Sequence, residues 1–112
     1  MKQPVPVTCV VSVIHNRLLC PEKDYREFLD YMTGYQLFWH DVARARVAVD
    51  KHLRSTGSRT IDKIVRTPPP EKTDSGAGSR YMRGMIKDLG SDTIELSPLA
   101  TFQTSTVEQS LR

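Results

Sequence analysis

The sequence predicts an all-α fold: a short helix, one long amphipathic helix, a short third helix, and a polar C-terminal tail. Three observations carry this reading. Glu22 to Arg54 contains no proline and a single glycine, and its apolar residues recur at helical spacing. Cys20-Pro21 and Gly57 stand where a start and a stop belong. No second strand-like run matches the one apolar β-branched stretch near the N-terminus, so a sheet has nothing obvious to build from.

Residues 1–7 hold Pro4 and Pro6 and read as extended. Thr8 to Leu19 is rich in β-branched residues and would suit a strand, but a lone strand cannot satisfy its backbone. A helix packing Val7, Val11, Ile14 and Leu18 on the long helix is the preferred reading. Broken by Pro4, Pro6, Thr8 and Ser12, the apolar N-terminus does not read as a signal peptide. Proline 21 opens the long helix, with Glu22 and Asp24 at its positive dipole end. Within it, Gly34 is read either as a slight bend or as a close approach for another helix.

A short helix over Ile61 to Arg66 follows, capped by Thr60 and ended by Thr67-Pro68-Pro69-Pro70. The folded unit is expected to be residues 1–66. Residues 67–112 read as a Pro/Gly/Ser/Thr-rich linker and tail, disordered from Ser91, with an optional helix over 79–90. The apolar fraction of 38%, below that of a typical globular domain, agrees with part of the chain lying outside a core.

Along the long helix, Phe28, Met32, Tyr35, Trp39, Val42, Val49 and Leu53 share one stripe, stepping by three, four or seven. A helix of about 45 to 50 Å has more apolar surface than two short helices can cover. The stripe therefore predicts self-association into a homodimeric helical bundle, the alternative being a monomer capped by the C-terminal segment. Tyr35 and Trp39 are read as core rather than as stacking surfaces. Arg46 falls in the same stripe, where it would snorkel outward or pair with an acid such as Asp50 of a partner helix.

A second stripe is basic. Arg26, His40, Arg44, Lys51 and Arg54 lie together on the helix circumference, with Thr33 among them, and Arg59, Lys63 and Arg66 extend the charge. Residues 1–66 carry eleven Lys/Arg against seven Asp/Glu, whereas residues 67–112 carry five against six. The positive field belongs to the helical half, and its natural partners are phosphates or an acidic protein. The bland alternative is a solvated charged face.

Catalysis is not expected: no Ser/His/Asp or Cys/His constellation has supporting motif residues, and Gly76-Ala77-Gly78 reads as linker, not as a phosphate loop. No cofactor is expected either. Cys9 and Cys20, with His15 between them, offer only three ligands at a spacing no zinc site uses, so no metal is expected. They read as free thiols in a reducing compartment, and the cytoplasm is the expected location. No apolar window is long enough to cross a membrane.

Lys23-Asp24-Tyr25-Arg26-Glu27-Phe28, followed by Tyr31, Met32 and Thr33, resembles the start of the long helix in the small RNA-silencing suppressors of nodaviruses. The order of helices and the polar tail are similar as well. The resemblance implies an all-helical homodimer that lies along double-stranded RNA without reading sequence, shielding it from the host processing nuclease and from loading of small interfering RNAs. It implies phosphate contacts from arginines late in the long helix, for which Arg44 and Arg54 are the candidates. It also implies the host cell cytoplasm, with a host RNA-silencing protein as a further partner. The first segment here is shorter and more β-branched than in that family. The runner-up is a helical interaction module or inhibitor that docks an acidic protein. A DNA-binding regulator is the third reading, weakened because no helix-turn-helix pattern is visible.

Overall fold

A computed structural model describes residues 2–70 and 76–99. The architecture is mostly helical, with five helices and a small two-stranded sheet. In chain order these are β1 (Gln3–Pro6), α1 (Val7–His15), α2 (Glu22–Thr33), a 3-10 turn (Trp39–Asp41), α3 (Val42–Ser55), α4 (Arg59–Arg66), α5 (Ala77–Leu89) and β2 (Thr93–Leu96).

The fold is organised around α1. Val7, Cys9, Val10, Val11, Ser12, Val13 and Ile14 are all buried, so this helix is apolar nearly all the way round and sits inside the molecule. It touches α2, α3, α4 and β1. The helical reading of residues 8–19 therefore holds for Val7–His15. Asn16 ends the helix in the left-handed conformation (φ 53°), its N–H donating to the carbonyls of Ser12 and Val13. Ser12, the one hydroxyl among the buried residues of α1, is satisfied: it donates to Thr8 O (2.6 Å) and accepts from Leu19 N (2.9 Å).

The long helix expected over residues 22–54 is two helices. Gly34 adopts φ 78° and closes α2, donating to Asp30 O at 2.9 Å. The chain then turns back, held by Asp30 Oδ1, which accepts from Leu37 N at 3.0 Å, and re-enters a helix at Val42. Neither a slight bend nor a close approach describes Gly34; it is a full stop. The two halves pack on each other and on α1. Phe28 and Leu29 join Met32, Ala45, Val49 and Leu53 in one buried cluster. The apolar stripe that argued for a dimer is thus largely covered within a single chain.

Ser58 caps α4 by accepting from Ile61 N (3.4 Å), two residues ahead of the expected cap, and Ile61 and Ile64 close over the core. Residues beyond 66 belong to the same body. The expected helix over 79–90 is present as Ala77–Leu89, burying Ala77, Met82 and Met85 and stopping at Gly90 in the left-handed conformation. Gly76-Ala77-Gly78 begins that helix instead of forming a linker. A Cβ on Gly78 would lie 3.3 Å from Leu19, so the helix start approaches that side chain closely.

The expected disorder from Ser91 fails at residues 93–96, which form β2; residues 100–112 lie outside the described residues. β1 and β2 pair antiparallel, with Val5 opposite Ile94 and Gln3 opposite Leu96. Val7 N donates to Asp92 O at 2.9 Å, in step with Gln3 and Val5, so Pro4 and Pro6 fall at alternate positions whose nitrogens face away from β2. The sheet is tied to α2 by Tyr31 Oη, which donates to Leu96 O at 2.7 Å, and by Leu99 N, which donates to Met32 O at 2.8 Å.

Candidate nucleic-acid interface

The basic residues of the second stripe separate into two groups once the helix is broken. Arg26 is half-buried. Its Nη2 donates to Leu37 O at 2.8 Å, bracing the turn between α2 and α3, and its Nε is buried with no hydrogen-bond partner among the described residues. Arg26 is therefore tied into this turn and does not share the exposed face of α3 and α4 on which the other basic residues of the stripe stand. Thr33, from the same stripe, is buried and donates to Leu29 O at 2.9 Å.

Arg44, Lys51, Arg54, Arg59, Lys63 and Arg66 stay exposed on α3 and α4, while His40 is exposed in the 3-10 turn before α3. On α3, Ala45, Val49 and Leu53 face the core, which turns Arg44, Lys51 and Arg54 outward on the other side. On α4, Ile61 and Ile64 point inward and Arg59, Lys63 and Arg66 outward. Two ion pairs tie part of this charge down. Arg54 Nε meets Asp50 Oδ1 at 2.8 Å and Arg66 Nε meets Asp62 Oδ2 at 3.2 Å, both at i,i+4 spacing. Arg54 also reaches back to Ile14 O at 3.4 Å. Exposed pairs of this kind contribute about 0.3–0.5 kcal/mol, which leaves these guanidinium groups open to exchange for a phosphate. Lys51, Arg59 and Lys63 have no ion-pair partner among the described residues. Arg54 and Arg59 line one hollow of about 190 Å³ at the α3–α4 junction, so the break between those helices gathers charge.

At the other end of α3, Asp41 is buried, with Arg44 Nη2 3.6 Å from its Oδ1 and His40 Nε2 3.7 Å from its Oδ2. His40 is sandwiched between aromatic neighbours, stacked on Phe38 at 5.7 Å and edge-on to Trp39 at 5.7 Å. These aromatic residues are exposed, Trp39 most of all at 81% and Tyr35 at 37%. The expected place of Tyr35 and Trp39 in the core is overturned. They lie in the turn after Gly34, so the helical phase that put them in line with Met32 and Val49 does not run through them. Of the remaining expected core residues, Phe28, Met32, Val49 and Leu53 are fully buried and Val42 is half-buried.

Sequence reasoning thus missed an exposed aromatic platform beside the basic helix. The signal that could have found it is the run Tyr35 to Trp39, where large side chains occur too densely for one narrow stripe. Beside the platform, Trp39 and Val42 border a hollow of about 350 Å³ with Leu18, Tyr25 and Arg17.

The two thiols meet inside the fold. Burial pushes the Cys9 thiol up to about 12, with Cys20 beside it adding to the effect. Both cysteines are free. Among the described residues no group of His, Cys, Asp and Glu could hold a metal ion, and no helix is long and apolar enough to cross a membrane. Comparison with protein-family models, with curated proteins and with solved structures finds no match, so the site has to be read from its own chemistry.

Proposed function

We propose that this protein binds double-stranded RNA without reading its sequence, through phosphate contacts from the outward faces of α3 and α4. The observation that carries this reading is the exposure of Arg44, Lys51, Arg54, Arg59, Lys63 and Arg66 on two adjoining helices whose other faces are sealed in the core. From Val42 to Arg66 seven Lys/Arg stand against two acids, Asp50 and Asp62. Arginine predominates, and its planar fork suits phosphate oxygens. Side chains cannot enter the narrow major groove of A-form RNA, so shape, phosphate and 2′-hydroxyl contacts dominate its recognition, and a basic surface without a reading motif is adequate.

With α3 about 21 Å long, at 1.5 Å per residue, one copy covers less of a duplex than an unbroken helix of residues 22–54 would. Coverage then comes from α3 and α4 together, or from several copies along the RNA. Sequestration of duplex RNA in the host cytoplasm, suppressing RNA silencing as the nodavirus resemblance implies, is the biological role we attach to this binding; no catalytic step is part of it. A homodimer remains part of the proposal, although its seam would have to use surface other than the stripe buried here.

A second reading, a module docking an acidic protein, is favoured by the exposed apolar side chains of Leu18, Phe38 and Val47 near the basic residues. Titration of the protein against unrelated RNA duplexes of about 20 base pairs, with DNA of the same sequence as control, separates the readings. Tight binding to every RNA duplex and weak binding to DNA supports the first. No binding to either at moderate salt removes it in favour of the second.

A further inference from the structure

A hollow of about 350 Å³ lies beside Trp39. Trp39 stands at its rim with most of its indole in solvent, while Leu18, Tyr25 and Val42 form an apolar wall. Arg17 and Arg26 also line it, together with Asn16 and the Glu22 carboxylate, and both arginines are tethered: Arg17 donates to Pro70 O and Arg26 to Leu37 O, both main-chain carbonyls. Each guanidinium has five N–H donors and uses one in these contacts, which leaves others for a ligand, with Glu22 the one acid on the lining. At about 350 Å³ the space is within the range of small-ligand pockets.

An exposed indole next to fixed guanidinium groups is costly to leave in water and has little purpose in packing. Trp39 also belongs to the turn that leads directly into α3, four and five residues before Ala43 and Arg44, and Val42 lines the hollow, so the hollow adjoins the start of the basic helix. Nucleobases have the matching chemistry: a π-face for stacking on indole and guanidinium, and polar edges for the rim.

We propose that this hollow takes one unpaired RNA base, stacked on Trp39, while α3 and α4 hold the adjoining duplex by its phosphates. The proposal rests on the RNA-binding reading above and deepens it: the preferred substrate is a duplex that carries unpaired nucleotides, at an end or in a bulge, over a fully paired blunt one.

Trp39 is the chain's single tryptophan, so intrinsic fluorescence reports on the site without labelling. The full-length protein is titrated with a blunt RNA duplex of about 20 base pairs and with the same duplex bearing unpaired 3′ nucleotides. Stacking contributes enough that the unpaired form is expected to bind about five- to a hundredfold more tightly and to quench the emission, while the blunt form binds with little quenching. Trp39→Ala removes the difference and keeps blunt-duplex binding; Trp39→Phe retains part of it. Equal affinity for both duplexes in the native protein, with blunt binding intact, overturns the base site and leaves the phosphate face standing. Binding and quenching by single-stranded RNA without any binding of the blunt duplex preserves the hollow and sinks the phosphate face. Emission that shifts with protein concentration alone, before RNA is added, shows that a second copy covers Trp39 and overturns the base site.

Discussion

Arg46 Nη1 donates a 2.8 Å hydrogen bond to the carbonyl of Val13, joining α3 to the last turn of the central helix across 33 positions of sequence. The cation thus meets the negative end of the α1 dipole and shares the Val13 carbonyl with the capping N–H of Asn16. This explains an arginine in an otherwise apolar stripe without invoking a partner helix. Arg46→Ala is expected to lower stability by about 2 kcal/mol, read as a lower urea midpoint at unchanged slope. Arg46→Met, which keeps the stem, recovers only the packing part.

Trp39 gives the sharpest contrast between the two ways of placing the residues after Gly34. A core tryptophan replaced by alanine costs about 3–5 kcal/mol. Solvated as it is here, Trp39→Ala should change unfolding free energy by no more than about 0.5 kcal/mol. Acrylamide should quench the native protein's emission nearly as well as it quenches the unfolded chain's.

Gly34 tests the break itself. At φ 78° a Cβ meets no neighbouring atom but does meet its own backbone. Gly34→Ala is expected to cost about 1 kcal/mol, and Gly34→Asn less, because asparagine tolerates the left-handed region. Were residues 22–54 one continuous helix, the alanine variant would be stabilised instead, and thermal unfolding decides the sign.

Cys9 makes a prediction about alkaline pH. Its thiol is held neutral in the fold up to about 12, against 9.0 in the unfolded chain, chiefly by burial. Below about pH 9 both states keep the proton and the contribution to stability is complete. Between about 9 and 12 the unfolded state loses its proton and the folded state does not, so unfolding gains and stability falls as pH rises. Tyr25 and Tyr81, also raised by burial, act in the same direction at higher pH. The difference between the native and Cys9→Ala stability curves isolates the thiol: it should decline through this window and be flat below it. Under native conditions an alkylating reagent should modify half-buried Cys20 well before Cys9.

Local signals in the sequence were legible where one residue type has one physical use. Proline 21 at the start of α2, glycine 90 at the end of α5 and the Ile61/Ile64 pair of α4 all do what their chemistry suggests. The misreading at Gly34 came from two cues that agree by accident. The apolar residues of α2 and α3 keep a heptad register across the gap, so Met32 and Val49 look like one stripe when they are two stripes facing each other. The sheet was hidden for a different reason. Thr93-Ile94-Glu95-Leu96 alternates as a strand should, but it is only four residues long and its partner lies some ninety positions earlier, beside two prolines. Nothing local marks such a pair. Arg26 shows the same limit for the site: periodicity puts it with Arg44, and only the folded turn at Leu37 shows that its guanidinium is already engaged.

The central claim is that exposed charge on α3 holds duplex RNA by its phosphates. The measurement that tests it most directly is the salt dependence of duplex-RNA affinity for the native protein and for the Arg44→Glu/Lys51→Glu variant, with circular dichroism confirming equal helicity. A phosphate face predicts a linear fall of log affinity with log salt, and a slope shallower by about 2 together with a large loss of affinity in the variant. Unchanged affinity and slope in a folded variant would contradict the claim, leaving those two cations as ordinary solvated side chains.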